Sequence, residues 1–237
     1  MRLTSKLITL VVLLLSTSLI VEAQQDETFN PQFRIGVGAG PIFSRVDFVS
    51  SVPQTNVQGL SLGVAAKFVS EKNLGVLAEL NFTQRGWQED FSESEISTEH
   101  AYSRTLNYLE LPLLTHIYFG NKNVKFILNL GPQVSYLLGD KANMNDALSN
   151  YIDGVLAEDP DFPIGIQYKP IDSKFDYGLL GGMGIEFNTP VGTFDLQGRY
   201  YFGLGDSFDN TRSSSSNFSR SAHRYFMGKL TYYFLSL

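Results

Sequence analysis

The feature that most constrains this chain is a long segment in which apolar and polar positions alternate. Residues 107–120 read NYLELPLLTHIYFG, and every odd-numbered position from Leu109 to Phe119 is apolar except Thr115. The even-numbered positions include Glu110 and His116. Successive side chains of a strand point to opposite faces, so this period of two predicts a β-strand with one apolar face. The segment is roughly twice the usual strand length of about five or six residues.

Seven other segments show the same alternation, and no segment reads as a convincing helix. They are residues 33–43, 59–70, 74–87, 123–139, 175–187, 193–202 and 223–235. Short connections lie at 70–73, 120–123 and 188–192, and long ones at roughly 44–57, 88–104, 140–172 and 206–222. Alternating short and long connections are typical of transmembrane barrels, in which an even strand count puts both termini on the periplasmic side.

We therefore predict an all-β fold, an eight-stranded antiparallel up-and-down transmembrane β-barrel with short periplasmic turns and long extracellular loops. The alternative is a soluble β-sandwich, whose apolar faces would meet in a dry core. The length of the strands, the aromatic residues near the ends of the apolar faces and the charges on the polar faces favour the barrel. A barrel also satisfies every backbone polar group, as a bilayer requires.

The polar faces carry charged residues that a barrel would point into its lumen. These eleven residues are Arg34, Lys67, Glu79, Arg85, Glu110, Lys125, Asp176, Glu186, Asp195, Arg199 and Lys229. An eight-stranded barrel is just wide enough for side chains to fill it or to hold one small ligand. Buried charges are retained when they are paired, and here six positive residues nearly balance five negative ones. We expect a salt-bridge network that plugs the lumen, which argues against a wide aqueous pore.

Strand register follows from where the short connections turn. A turn centred on 120–123 would place Leu109 opposite Val134, and a tight turn in 188–192 would place Phe187 opposite Phe194. The connection at 70–73 needs an odd number of residues, three or five, to keep the apolar faces aligned. Pro112 and Pro132 would then lie almost opposite one another, and we expect them to share a bulge or bend because proline lacks a ladder donor.

The N-terminal residues resemble an export signal. Arg2 and Lys6 flank the start of an apolar segment, 7–20, and small residues precede a cleavage site after Ala23. An anchoring transmembrane helix is the alternative, but this segment is shorter than the roughly 20 residues that span a bilayer. We expect a cleaved signal peptide at 1–23, a periplasmic segment at 24–32 and an outer-membrane barrel domain at 33–237.

Two motifs resemble a known family. The segments LELPLL (109–114) and GPQVSYLL (131–138) are similar to the PorT-like outer-membrane β-barrel family, often labelled porin family proteins, and the resemblance extends over roughly 33–237. It implies an eight-stranded barrel in the bacterial outer membrane. The namesake of the family is linked to assembly of a secretion system, which implies envelope or secretion-system proteins as loop partners. Most members have no assigned activity.

Catalytic and ligand-binding motifs are weak throughout. The glycine-rich stretches 36–40 and 178–184 are not followed by a helix, as a dinucleotide site requires. His100, His116 and His223 lie near no nucleophile motif. We therefore expect no enzymatic activity and no cofactor.

Metal and nucleic-acid binding find equally little support in the sequence. The acidic stretches at 88–100 and 153–161 lack the spacing of a calcium loop, and cysteine is absent. A net charge of -6 without a basic stripe argues against nucleic acid as a partner.

These observations predict a monomer that contacts outer-membrane lipid and acts as a structural or interaction protein of the cell envelope through its outer loops. The alternatives are a narrow porin or small-ligand transporter, and an outer-membrane hydrolase. A transporter would need a continuous polar path, and a hydrolase would need a histidine beside a serine and a carboxylate.

Overall fold

A computed structural model describes residues 29–49, 51–92, 99–162, 164–208 and 221–236. The chain divides into two compact units, Met1–Asn30 and Pro31–Leu237. The predicted signal peptide at 1–23 lies outside the described residues, as does most of the segment at 24–32.

Nine strand segments and two short helices make up the described part of the chain. The strands are β1 (Gln32–Phe48), β2 (Gln54–Thr55), β3 (Val57–Glu71), β4 (Leu74–Glu89), β5 (Tyr102–Gly120), β6 (Val124–Met144), β7 (Phe175–Thr189), β8 (Gly192–Gly203) and β9 (Ser221–Ser236), and the helices are α1 (Asp146–Glu158) and a 3₁₀ helix (Ile166–Tyr168). Both β2 and β3 pair with β4, so they form one wall strand interrupted at Asn56.

The wall is a closed sheet of eight antiparallel strands. Each strand pairs with its neighbours along the chain, β1 also pairs with β9, and the β4–β5 pairing leaves no open edge. The predicted eight-stranded up-and-down barrel is thereby confirmed.

Side chains alternate between the lumen and the outside along every wall strand. On β5, Leu111 and Leu113 face outward and are 51% and 53% exposed. The neighbouring Glu110 faces the lumen and is 1% exposed. Apolar patches of this extent are rare on soluble monomers. An outward apolar belt of this kind is suited to a lipid environment.

The register of the β5–β6 hairpin differs from the predicted one by two positions. Leu109 pairs with Tyr136 rather than with Val134. The side chain of Asn121 accepts hydrogen bonds from the backbone N–H groups of Asn123 and Val124, at 2.9 and 2.8 Å, which centres the turn further along the chain. A shift of two leaves every residue on its predicted face.

The other two short turns give one confirmation and one correction. Phe187 pairs with Phe194, as predicted. The β3–β4 connection has a two-residue turn instead of three or five, with Asn73 in the left-handed region at a φ of 72°. The extra residue that keeps the apolar faces aligned lies in the strand and not in the turn. The register shifts between Val69 and Glu71, which leaves Ser70 as a bulge.

The prediction that Pro112 and Pro132 share a bulge is wrong. Pro112 pairs with Gln133, and the irregularity in this hairpin lies between Asn107 and Tyr108. Pro132 instead pairs with Leu179 on the neighbouring strand β7. The two prolines do lie almost opposite one another, because Pro132 is adjacent to Gln133 on β6, but the ladder shows no register shift at this position.

The absence of helices was also predicted wrongly, because α1 occupies the longest connection. Asn145 caps this helix by accepting a hydrogen bond from the backbone N–H of Leu148 at 3.2 Å. Leu148 is buried against the outer end of the barrel, with Ile152 packed beside it. Within the described residues, neither helix has the length and apolar character needed to cross a membrane.

Candidate functional site

The structure places the eleven charged residues predicted for the lumen in one interior. Ten of them are buried, and Lys125 is partly buried. Each of the eleven forms at least one ion pair with another member of the set. Their positions along the strands separate them into three layers, which we call inner, middle and outer.

The inner layer lies near the short turns and has Glu186 at its centre. Lys67 donates hydrogen bonds to Glu186 and Asp195, both at 2.7 Å. Arg34 and Lys125 each lie 3.1 Å from Glu186. Three cations thus surround two carboxylates, and all five residues lie near the end of the barrel at which the short turns connect the strands.

The middle layer joins strands on different sides of the barrel through Glu79 on β4. Arg199 on β8 donates two hydrogen bonds to the Glu79 carboxylate, at 2.8 and 2.9 Å, a bidentate geometry that is strong and directional. Lys229 on β9 donates to the same carboxylate at 2.7 Å. Asn81 donates to Glu79 and accepts from Lys229, at 3.0 and 2.9 Å. This layer therefore crosses the lumen.

The outer layer is built around Arg85. Its guanidinium group donates to Asp176 at 2.7 Å, and Glu110 lies 3.6 Å away. The guanidinium carbon lies 3.8 Å from the centre of the Tyr108 ring, within the range of a cation–π contact. Tyr225 donates its hydroxyl hydrogen to Glu110 at 3.1 Å. Aromatic rings thus fill the space beside the charges.

Apolar residues that sequence reasoning did not assign to the lumen close its outer end. Phe48, Trp87 and Phe208 pack together, with the Trp87 ring centre 5.5 Å from that of Phe48 and 6.4 Å from that of Phe208. Leu148 of α1 belongs to the same buried cluster. We call these four residues the outer cap. The alternation pattern could have extended to Phe48 and Trp87, but Leu148 and Phe208 come from loops.

Among the described residues, none of the three histidines forms a catalytic triad with a serine and a carboxylate. The Nε2 of His223 lies 3.1 Å from the Ser207 hydroxyl, a contact that sequence reasoning missed. The Nδ1 of His223 has no hydrogen-bond partner among the described residues, so a carboxylate is missing there. His116 forms a hydrogen bond with Asn129, and the His100 ring lies tilted beside that of Tyr151. Asp209, which follows Phe208 in the same loop, lies outside the described residues.

No cluster of three or more His, Cys, Asp or Glu residues suitable for a metal occurs within the described ranges.

A family model described as the outer membrane protein beta-barrel domain matches residues 22–209. The chain belongs to this family. The protein is therefore a β-barrel of the bacterial outer membrane, and the short turns lie on the periplasmic side. No curated protein matches it.

Solved structures similar to this outer-membrane barrel share little of its sequence. Ail, the attachment invasion locus protein of Yersinia pestis, is 14% identical, with a TM-score of 0.41 over 88% of this chain and 100% of Ail. Neisserial surface protein A is 12% identical, with a TM-score of 0.40 over 85% of this chain and 96% of that protein. The outer membrane protein AlkL is 12% identical, with a TM-score of 0.35 over 90% and 95% of the two chains.

The stability cost of placing a charge on the lipid-facing surface should depend on its depth in the membrane. Leu113 lies midway along β5 on the outward face, and Leu138 lies outward near the outer end of β6. We expect Leu113→Arg to lower the free energy of unfolding by about 2–4 kcal/mol and Leu138→Arg by about 0–1 kcal/mol, because the bilayer excludes charge most strongly at its midplane. Urea unfolding in lipid vesicles measures both. Equal losses of stability for the two variants would contradict the placement of Leu113 nearer than Leu138 to the midplane of the membrane.

Proposed function

We propose that this outer-membrane barrel is plugged by its own side chains and acts as a structural or interaction protein of the cell envelope through its outer loops. The observation that carries this proposal is the middle layer, in which Arg199 and Lys229 reach Glu79 across the lumen at 2.7–2.9 Å. The inner and outer layers add further ion pairs on either side of it. The outer cap closes the extracellular end with apolar side chains.

The outer loops are the part of the barrel left free to contact partners. Loops on a rigid scaffold commonly carry function, and the longest one here is anchored by defined contacts. Tyr102 on β5 donates its hydroxyl hydrogen to the backbone oxygen of Gln167, at 2.9 Å, and Leu148 packs into the outer cap. This loop therefore presents an ordered surface.

The two motifs that carry the resemblance, at 109–114 and 131–138, lie in the β5–β6 hairpin, and they support PorT-like membership as part of the proposal. On this basis we propose envelope or secretion-system proteins as partners of the loops, export by the signal at 1–23, and a monomeric barrel. Catalysis is not part of the proposal, because the Ser207–His223 pair is buried and lacks a carboxylate among the described residues.

A conductance measurement distinguishes the plugged barrel from a narrow porin. We expect the refolded mature protein to show no steady channels in planar bilayers. Glu110→Ala should also stay silent, because Arg85 keeps its Asp176 partner and the middle and inner layers remain closed. Insertion is checked in the same membranes by protection of the strands from added protease. Steady conductance of the inserted wild-type protein would contradict the plug and support transport.

A further inference from the structure

A cavity outside the lumen opens among the outer loops. It has a volume of about 170 Å³ and lies between α1, the 3₁₀ helix and the chain that follows β4. Leu148 and Val155 line it from α1, Ile164 and Tyr168 from the segment around the 3₁₀ helix, and Phe91 from the chain just after β4. None of the charged layers contributes to it, and the outer cap contributes only Leu148, which separates the cavity from the lumen.

We propose that this cavity binds a small neutral aromatic molecule with a single ring. An apolar cavity of about 150 Å³ in another protein holds benzene, so the space here admits one ring with a short substituent. A longer acyl chain or a fused polycyclic molecule would exceed this volume and extend out of the cavity, which is partly open to solvent. The lining is mainly aliphatic and aromatic, as is usual for small-molecule sites.

Aromatic side chains favour a ring over an aliphatic ligand. His100 lies with its ring centre 5.7 Å from that of Phe91, at an interplanar angle of 90°, and 5.3 Å from that of Tyr151. All three rings line the cavity. A ligand ring placed among them gains edge-to-face or offset contacts, which add favourable energy beyond apolar burial.

The polar groups beside the cavity select against a charged ligand. The Tyr168 hydroxyl donates a hydrogen bond to Glu89 at 2.7 Å, and Gln167 donates to the same carboxylate at 3.4 Å. Burial and this hydrogen bond raise the pKa of Tyr168, which keeps its hydroxyl protonated and engaged. Among the described residues that line the cavity, none is Lys, Arg, Asp or Glu. A charged molecule would therefore lose hydration without gaining an oppositely charged Lys, Arg, Asp or Glu among them.

The cavity walls are joined by hydrogen bonds, so the site is formed before a ligand binds. The Asn145 side chain caps α1 and also accepts a hydrogen bond from the backbone N–H of Ala101 at 3.0 Å. Its amide donates to the backbone oxygen of Glu99 at 2.6 Å. These bonds connect α1 to the segment that carries His100. A preformed site binds with a smaller ordering cost.

Methyl NMR of the mature barrel in lipid nanodiscs tests the proposal with 4-fluorophenol as the probe. We expect saturable shifts of the Leu148 and Ile164 methyl resonances. Val155→Trp should abolish these shifts by filling the cavity, and Val155→Phe should weaken them less. Ala157→Trp, at an exposed position of α1 that does not line the cavity, should leave them unchanged.

Leu113, on the outward wall, is the control for partition of the probe into lipid. Its methyl shifts should increase with probe concentration without saturating. The proposal is overturned if the Leu148 shifts follow those of Leu113, or if saturable shifts persist in Val155→Trp. It is also overturned if dodecylphosphocholine produces the saturable shifts and 4-fluorophenol does not, since the occupant would then be an acyl chain.

Discussion

Replacing Glu79 with alanine should lower the free energy of unfolding by about 3–5 kcal/mol, as expected when one partner of a buried ion pair is removed. Glu79 is 3% exposed and accepts hydrogen bonds from Arg199 and Lys229. The substitution leaves both cations buried, with no other acidic partner within ion-pair distance among the described residues. An uncompensated charge is far more costly in the interior than in water.

Urea titration of the refolded barrel in lipid vesicles, followed by far-UV circular dichroism, measures this loss. Urea is preferred to guanidinium chloride because it does not screen charges. Glu71→Ala is the matched control, since Glu71 lies exposed at the periplasmic end of β3. Its substitution should change the free energy by no more than about 0.5 kcal/mol. Equal losses in the two variants would show that the middle layer contributes little.

A triple variant separates unpaired charge from lost packing. Replacing Glu79, Arg199 and Lys229 together with leucine or methionine removes all three charges and retains side-chain volume. Apolar replacement of a complete buried ion-pair group is often neutral or stabilising, so most of the stability lost in Glu79→Ala should return. If the triple variant is as unstable as Glu79→Ala, the loss reflects the shape of the interior rather than its charge.

Alternation along the strands was sufficient to place Glu79 and Glu110 on the lumen side, but it did not identify their partners. Glu79 contacts Arg199 and Lys229, which lie 120 and 150 positions away in the sequence. Which residues meet across a barrel depends on strand tilt and stagger. Tilt and stagger are set by the pairing of all eight strands together, so the sequence of any single segment does not reveal them.

Register shows the same limit on a smaller scale. Parity cannot distinguish pairing of Leu109 with Val134 from the observed pairing with Tyr136, because both partners lie on the outward face. The decisive interaction is local, the Asn121 side chain within the turn. At the β3–β4 connection, the alternation of apolar and polar positions required an odd number of residues. It could not show that the extra residue is Ser70, within the strand, rather than one of the turn residues.

Helix α1 was the largest omission, although its signals are present in the sequence. Asn145 is a favourable N-cap residue, and Leu148, Ile152 and Val155 follow at helical spacing. The helix lies in a connection rich in polar residues, so its apolar face is narrow. The cavity that this helix forms with the 3₁₀ helix could not be predicted, because it depends on how separate loop segments pack.

The outer cap should be the second site of high sensitivity. Trp87 is fully buried and makes edge-on contacts with Phe48 and Phe208. Trp87→Ala should lower the free energy of unfolding by about 3–5 kcal/mol, since it removes a large buried side chain and leaves a cavity. Trp87→Phe retains a ring and should cost less. The same urea titration measures both variants.

Phe175 supplies a matched aromatic control at the extracellular end of the barrel, because it is 52% exposed on the outward face. Phe175→Ala should cost less than Trp87→Ala, since fewer protein contacts are lost. Similar losses of stability in the two variants would indicate that a buried aromatic residue of the cap stabilises the barrel no more than an exposed one at the same end.

The cap and the charged layers can be separated because Trp87 lies two positions beyond Arg85 on β4, toward the extracellular end. Trp87→Ala removes the largest side chain of the cap but leaves the three layers of ion pairs intact. We therefore expect faster amide exchange at Leu148, which packs in the cap, and no steady conductance in planar bilayers. A steady channel in this variant would show that the apolar cap, and not the charged layers, closes the lumen.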